Sequence, residues 1–178
     1  MKKNLRTKFY VILCLATMVI LSSNKKEAGS QAYTEQMLKM NGTEEVSGKQ
    51  LSTDSLKGKM IILNFWASYD AQSRINSYKL LQVAEDYESQ KFHNGNGLEV
   101  ISISLDKYHS PLRKAIQTDG TERFHHICDY KGTDSEWAKL FEVYRPVNLL
   151  IDADGVIIAR DFNVETMRTT LNMLASEN

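Results

Sequence analysis

The 178-residue chain has room for a short leader and one globular domain, and 42% hydrophobic residues with only two prolines exclude an intrinsically disordered protein. A formal net charge of zero hides an asymmetry: residues 1–30 hold six Lys/Arg against Glu27 alone, leaving 16 basic and 21 acidic residues elsewhere. That mildly acidic remainder, with no basic cluster, argues against a nucleic-acid partner.

Residues 1–30 read as a signal peptide or N-terminal anchor. Lys2, Lys3, Arg6 and Lys8 form a positive start, and Val11 to Leu21 form an apolar run. The run is short of the roughly 20 apolar residues of a membrane span, although Phe9 and Tyr10 lengthen it and leave an uncleaved anchor as the alternative. Ala28-Gly29-Ser30 fits signal cleavage, whereas Leu21-Ser22-Ser23 leads to Asn24 where a lipoprotein would place its cysteine. The expectation is an exported bacterial protein, periplasmic or envelope-associated, meeting a membrane only through this segment. Cys14 lies inside the leader, so its removal leaves Cys128 as the sole thiol. A lone Cys128 cannot form an internal disulfide. It is a buried small hydrophobe, a free thiol or an intermolecular partner.

Residues 31–45 read as a lead-in and 46–178 as the domain, with at most one short strand in the polar stretch up to Leu56. Leu56-Lys57-Gly58-Lys59 is a turn into the strand Met60 to Trp66, whose continuous apolar character suits a central position. A helix follows from Ala71 to about Ser89, with Asp70 as N-cap and Ile75, Tyr78, Leu81 and Val83 as its apolar stripe. Leu98 to Leu105 forms a second strand, completing a βαβ unit with parallel strands. Ser110-Pro111 opens another helix, ending near Asp119-Gly120, and Phe124 to Cys128 is extended. A short helix starts at Asp134-Ser135-Glu136. Strands Val147 to Asp152 and Val156 to Arg160 flank an Asp154-Gly155 hairpin turn, and Asn163 caps a last amphipathic helix.

The order βαβ, insertion, ββα, together with Lys57-Gly-Lys59, Asn64-Phe-Trp-Ala67, Pro146 before a strand and Leu150-Ile-Asp-Ala-Asp-Gly155, resembles the thioredoxin-like superfamily. The helix near 111–118 resembles the insertion of its exported TlpA/ResA branch of thiol-disulfide oxidoreductases. The resemblance covers residues 46–176 and implies an α/β thioredoxin-like fold, a central mixed sheet flanked by helices. It implies a Trp-Cys-x-x-Cys site at Tyr69-Asp70-Ala71-Gln72-Ser73. Asp70 and Ser73 stand at the two cysteine positions, and a dithiol cycle needs two sulfurs. The resemblance further implies a cis bond at Arg145-Pro146, facing the helix start, with Arg145 near enough to pair with Asp70.

The sequence therefore suggests a non-redox binding domain with a protein or peptide partner at a surface of Trp66, Tyr69, Asp70, Arg145 and Pro146. The alternatives are an enzyme acting through Cys128 and a structural envelope protein. Asp70 reads most simply as a helix cap. Ser73 as a nucleophile needs a base, and His93, His109, His125 and His126 are all distant in sequence. His126 and Cys128, with Asp129, are too few ligands to specify zinc, and Asp152-Ala-Asp154-Gly155 lacks the ligands of a calcium loop. No metal or cofactor is expected.

Overall fold

The computed structural model describes residues 35–176. The leader, its cleavage site and Cys14 lie outside the described residues. Met60–Trp66 is apolar except at Asn64, and it forms the central strand β1, buried at every position. Helix α1 (Ala71–Tyr87) crosses to β2 (Leu98–Ser104), which runs parallel to β1 with Met60 opposite Leu98 and Trp66 opposite Ser104. Helix α2 (His109–Asp119) leads to the short β3 (His125–Ile127), parallel to β2. After helix α3 (Glu136–Leu140) the chain returns in β4 (Val147–Ile151), antiparallel to β1, then β5 (Ile157–Arg160), antiparallel to β4, and closes with α4 (Val164–Leu174). The sheet order is β3-β2-β1-β4-β5. This is the expected mixed sheet, with α2 and β3 inserted between the βαβ and ββα halves.

The pleat divides the core. Ile61, Leu63 and Phe65 of β1 face a cluster with Ile101, Phe141 and Leu149. Met60 and Ile62 face α1 and α4 through Leu80, Val83, Met167 and Leu171. The lead-in is not peripheral to this core. Residues 35–39 are helical, and Met37, Met40 and Leu51 are buried in the first cluster.

Two helix expectations are corrected. Of the expected stripe on α1, Val83 is buried and Leu81 packs against the core, but Ile75 and Tyr78 are exposed, and the buried face is Ser73, Ser77, Leu80, Val83, Ala84 and Tyr87. In the second turn of α1 the inward position is Ser77, whose hydroxyl donates to the buried Asn64 oxygen at 2.8 Å, and apolar burial on α1 begins at Leu80. Helix α2 starts at His109, before Ser110, and its N-cap Tyr108 makes no side-chain cap bond. Its end is as expected: Gly120 adopts φ +67 and its amide closes the helix.

Candidate functional site: a cleft at the end of β1

The site forms where β1 ends and α1 begins. Asp70 is extended, and its carboxylate accepts the Ser73 amide at 2.6 Å, capping α1. Ser73 is buried. Its hydroxyl accepts from the Ala67 amide at 3.2 Å and lies within donating distance of the Ala67 and Asp70 carbonyls, at 3.2 and 3.0 Å. Among the described residues, no histidine is a hydrogen-bond partner of that hydroxyl. His109 stacks on Tyr130, His125 pairs with Glu45, and His126 hydrogen-bonds the Thr121 carbonyl. His93 lies on the separate ribbon Lys91–Phe92/Gly95–Asn96 side, its amide donating to Leu174. The geometry gives Ser73 a structural role.

The loop between β1 and the cap is fixed by Asp106, a residue that sequence reasoning did not single out. Asp106 is buried and follows the end of β2. Its carboxylate accepts the Ser68 amide at 2.8 Å, the Ser68 hydroxyl at 2.5 Å and the Ser104 hydroxyl at 2.6 Å. An acidic residue just past an apolar strand, with serines at 102 and 104, was the available signal.

Of the five surface residues expected at the site, three line one cleft. Asp70, Arg145 and Pro146 line a cavity of about 560 Å³ together with Ser73. Tyr69, next to Asp70, is 73% exposed. Trp66 is a correction: it is 1% exposed and packs against Leu112, Ala115 and Ile116 of α2. As the last residue of β1 it points to the helix side of the sheet, where α2 covers it.

Arg145 is also corrected. Its guanidinium pairs with Asp161, not Asp70, and also reaches the Pro146 carbonyl at 3.4 Å. Asp161 follows β5 in a left-handed conformation, φ +57, that turns it toward Arg145, whereas Asp70 is already satisfied by the α1 amide. The Arg145–Pro146 peptide is trans, since no cis bond occurs among the described residues. Trans is the intrinsically favoured form by about 0.5–1 kcal/mol.

The cleft floor is polar. Asn64 of β1 donates to the Asn148 side-chain oxygen across the sheet at 3.0 Å, and the Asn64 oxygen accepts from Ser77 and Ser102 at 2.8 and 3.3 Å. Both asparagines are buried and line the cleft. Their signal in the sequence was a carboxamide inside an otherwise apolar strand.

Cys128 does not line this cleft. It is half-buried near Trp66, donates its thiol toward the Asp106 carbonyl at 3.6 Å, and lines a separate cavity of about 250 Å³ with His109, Arg113 and Tyr130. Burial pushes the Cys128 thiol above its ordinary range, which disfavours the thiolate. His126 and Cys128 use different partners, the Thr121 and Asp106 carbonyls. Among the described residues, no three His, Cys, Asp or Glu side chains group to hold a metal.

No family model matches the sequence, and no curated protein matches it. Solved structures do. A thiol-disulfide oxidoreductase from Bacteroides fragilis is 29% identical, with a TM-score of 0.63 over 74% of this chain and 94% of that one. A thioredoxin-like protein from Parabacteroides distasonis is 28% identical, with a TM-score of 0.52 over 65% and 81%. A secreted disulfide oxidoreductase from Mycobacterium tuberculosis, 17% identical, shares the fold with a TM-score of 0.61 over 78% and 98%. By its mixed sheet, its helix-capped β1 loop and these neighbours, the chain has a thioredoxin-like fold, and the solved structures it resembles include thiol-disulfide oxidoreductases.

Proposed function

We propose that this is an exported thioredoxin-like protein of the bacterial envelope that has lost dithiol chemistry and serves as a binding or accessory domain. The observation that carries the reading is the Asp70–Ser73 pair. A carboxylate capping α1 and a hydroxyl tied to backbone occupy the positions where the resemblance implies two sulfurs. Neither group forms or resolves a disulfide. The single-thiol alternative is disfavoured by the place of Cys128 outside the cleft and by the burial that raises its pKa. The basic start and apolar run of residues 1–30 support export, as does the secreted neighbour.

The partner in this reading is a protein or peptide chain. Exposed Tyr69 and Arg145, beside a preformed cleft, are residue types enriched in protein interfaces. The test is cross-linked capture from the envelope with wild type, Tyr69→Ala, Arg145→Ala and Cys128→Ser. Loss of the same partner in the first two variants and its retention in Cys128→Ser supports the reading. An identical captured set for all four forms, or capture that depends on Cys128, overturns it.

A further inference from the structure

We propose that Asn94 is a site of spontaneous covalent modification, at which the carboxamide closes on the Gly95 nitrogen and the turn acquires an aspartate or an isoaspartate. The site is independent of the binding-domain reading, since residues 91–97 do not line the cleft. The sequence holds three Asn-Gly pairs, at Asn41, Asn94 and Asn96. Glycine leaves the nitrogen after the asparagine unshielded and the backbone free to bend toward the side chain, so by local sequence the three are equivalent. The structure separates them.

Asn41 is held at both reacting groups. Its side-chain oxygen accepts the Thr53 amide at 3.0 Å, and the Gly42 amide donates to the Leu51 carbonyl at 2.8 Å. Asn96 is held through the backbone on either side. Its own amide donates to the Gly58 carbonyl at 2.8 Å, and the amide of buried Gly97 donates to the Gln90 carbonyl at 2.8 Å. The Gly97 carbonyl in turn takes the Met60 amide at the start of β1, at 2.9 Å. Asn94 differs. It is exposed in the turn His93–Asn94, and its carboxamide makes one hydrogen bond among the described residues, Nδ2 to Asp154 Oδ2 at 3.5 Å. Gly95 faces Phe92 in a ribbon of only two residue pairs, so ring closure asks this tip to open rather than a segment tied to β1.

The fold itself requires the glycine. A Cβ at position 95 would stand 2.8 Å from the Ala153 Cβ and 3.1 Å from the Gly58 carbonyl oxygen. The close approach of the ribbon to the β4–β5 turn therefore keeps, after Asn94, the residue that least hinders ring closure. The step balances with water as the only co-reactant. The Gly95 nitrogen bonds to the Asn94 Cγ, the Cγ–Nδ2 bond breaks, and the Gly95 amide proton leaves with that nitrogen as ammonia. Water then opens the cyclic imide. Attack at the side-chain carbonyl gives aspartate at position 94, and attack at the main-chain carbonyl gives isoaspartate. Either product sets a carboxylate beside Asp154 where a neutral amide stood.

The experiment incubates the folded full chain in mildly alkaline buffer, maps its peptides by mass with fragmentation that separates aspartate from isoaspartate, and measures the ammonia released. Asn94 is expected to convert about tenfold or more faster than Asn41 and Asn96, with both acids formed and ammonia equal to the acid. In denaturant the three rates are expected to converge, because the contacts that separate them are gone. Asn94→Gln is expected to remove the fast phase, since closure then needs a larger ring, and to leave the slow conversion at Asn41 and Asn96 unchanged. Comparable rates at the three sites in the folded chain, faster conversion at Asn41 or Asn96, or an Asn94 that stays intact overturns the inference. A difference that persists in denaturant overturns it as well, because the neighbours in sequence would then set the rates.

Discussion

Asp106 holds Ser68 by two hydrogen bonds, one to its amide at 2.8 Å and one to its hydroxyl at 2.5 Å, and so anchors the loop that carries Tyr69 and Asp70. Because the carboxylate is buried and also takes the Ser104 hydroxyl, its loss leaves three donors without their acceptor in a water-poor site. Asp106→Asn keeps one acceptor oxygen but sets an NH2 where the other accepts, and is expected to destabilise the fold by about 1.5–3 kcal/mol, the usual worth of hydrogen bonds to a charged group. Urea denaturation measures this. Unchanged stability would show that the loop is held by backbone geometry alone.

The fold was largely legible in the sequence because its signals are local. The apolar run of β1, the Asp154-Gly155 turn and the caps Asp70 and Asn163 each specify their element with little tertiary help. What was not legible depends on neighbours far along the chain. Ile75 and Tyr78 fit a helical period, yet the face of α1 that turns inward carries Ser77, bonded to Asn64, with Leu80, Val83 and Ala84 packed against the sheet. Trp66 is hidden because α2 returns over it and His126 packs against it, and Arg145 turns to Asp161 because β5 ends beside it. The lead-in hid its role in composition: a polar segment places Met37 and Met40 in the core.

Asp70 is expected to stabilise α1 as its cap. Asp70→Ala should lower stability by about 0.5–2 kcal/mol. Asp70→Asn keeps the acceptor for the Ser73 amide and forfeits only the charge–dipole contribution, about 0.3–1 kcal/mol. Chemical denaturation of the three proteins orders them wild type, Asn, Ala. An Ala variant as stable as wild type would place the carboxylate in ligand binding instead.

No turnover is expected in an insulin-reduction assay, because Asp70 and Ser73 supply no sulfur. Activity that survives Cys128→Ser would sink the non-redox reading. Activity abolished by Cys128→Ser would move it to the half-buried thiol. The reciprocal variant is informative as well. In Asp70→Cys/Ser73→Cys, the two sulfurs sit at the cap and the first turn of one helix, and oxidation should remove both from thiol titration.

His126 should make the fold sensitive to mild acid. Its ring is buried between Trp66 and Phe124, and its Nε2 bonds the Thr121 carbonyl. Nδ1 is buried without a partner among the described residues. Burial holds its pKa below the ordinary value of 6.5, outweighing the Thr121 carbonyl and the nearby carboxylates Glu45 and Glu122 that favour the cation, while His125 opposes it. Just below pH 6.5 the unfolded chain therefore binds more protons than the folded one, and stability must fall as pH falls. The loss approaches about 1.4 kcal/mol per pH unit until the folded ring itself takes up its proton. His126→Gln, which can still donate to Thr121, removes the titration and should flatten the slope between pH 6.5 and 5 relative to wild type. Denaturant midpoints across that range decide the matter: parallel slopes for the two proteins would mean that another group governs acid sensitivity.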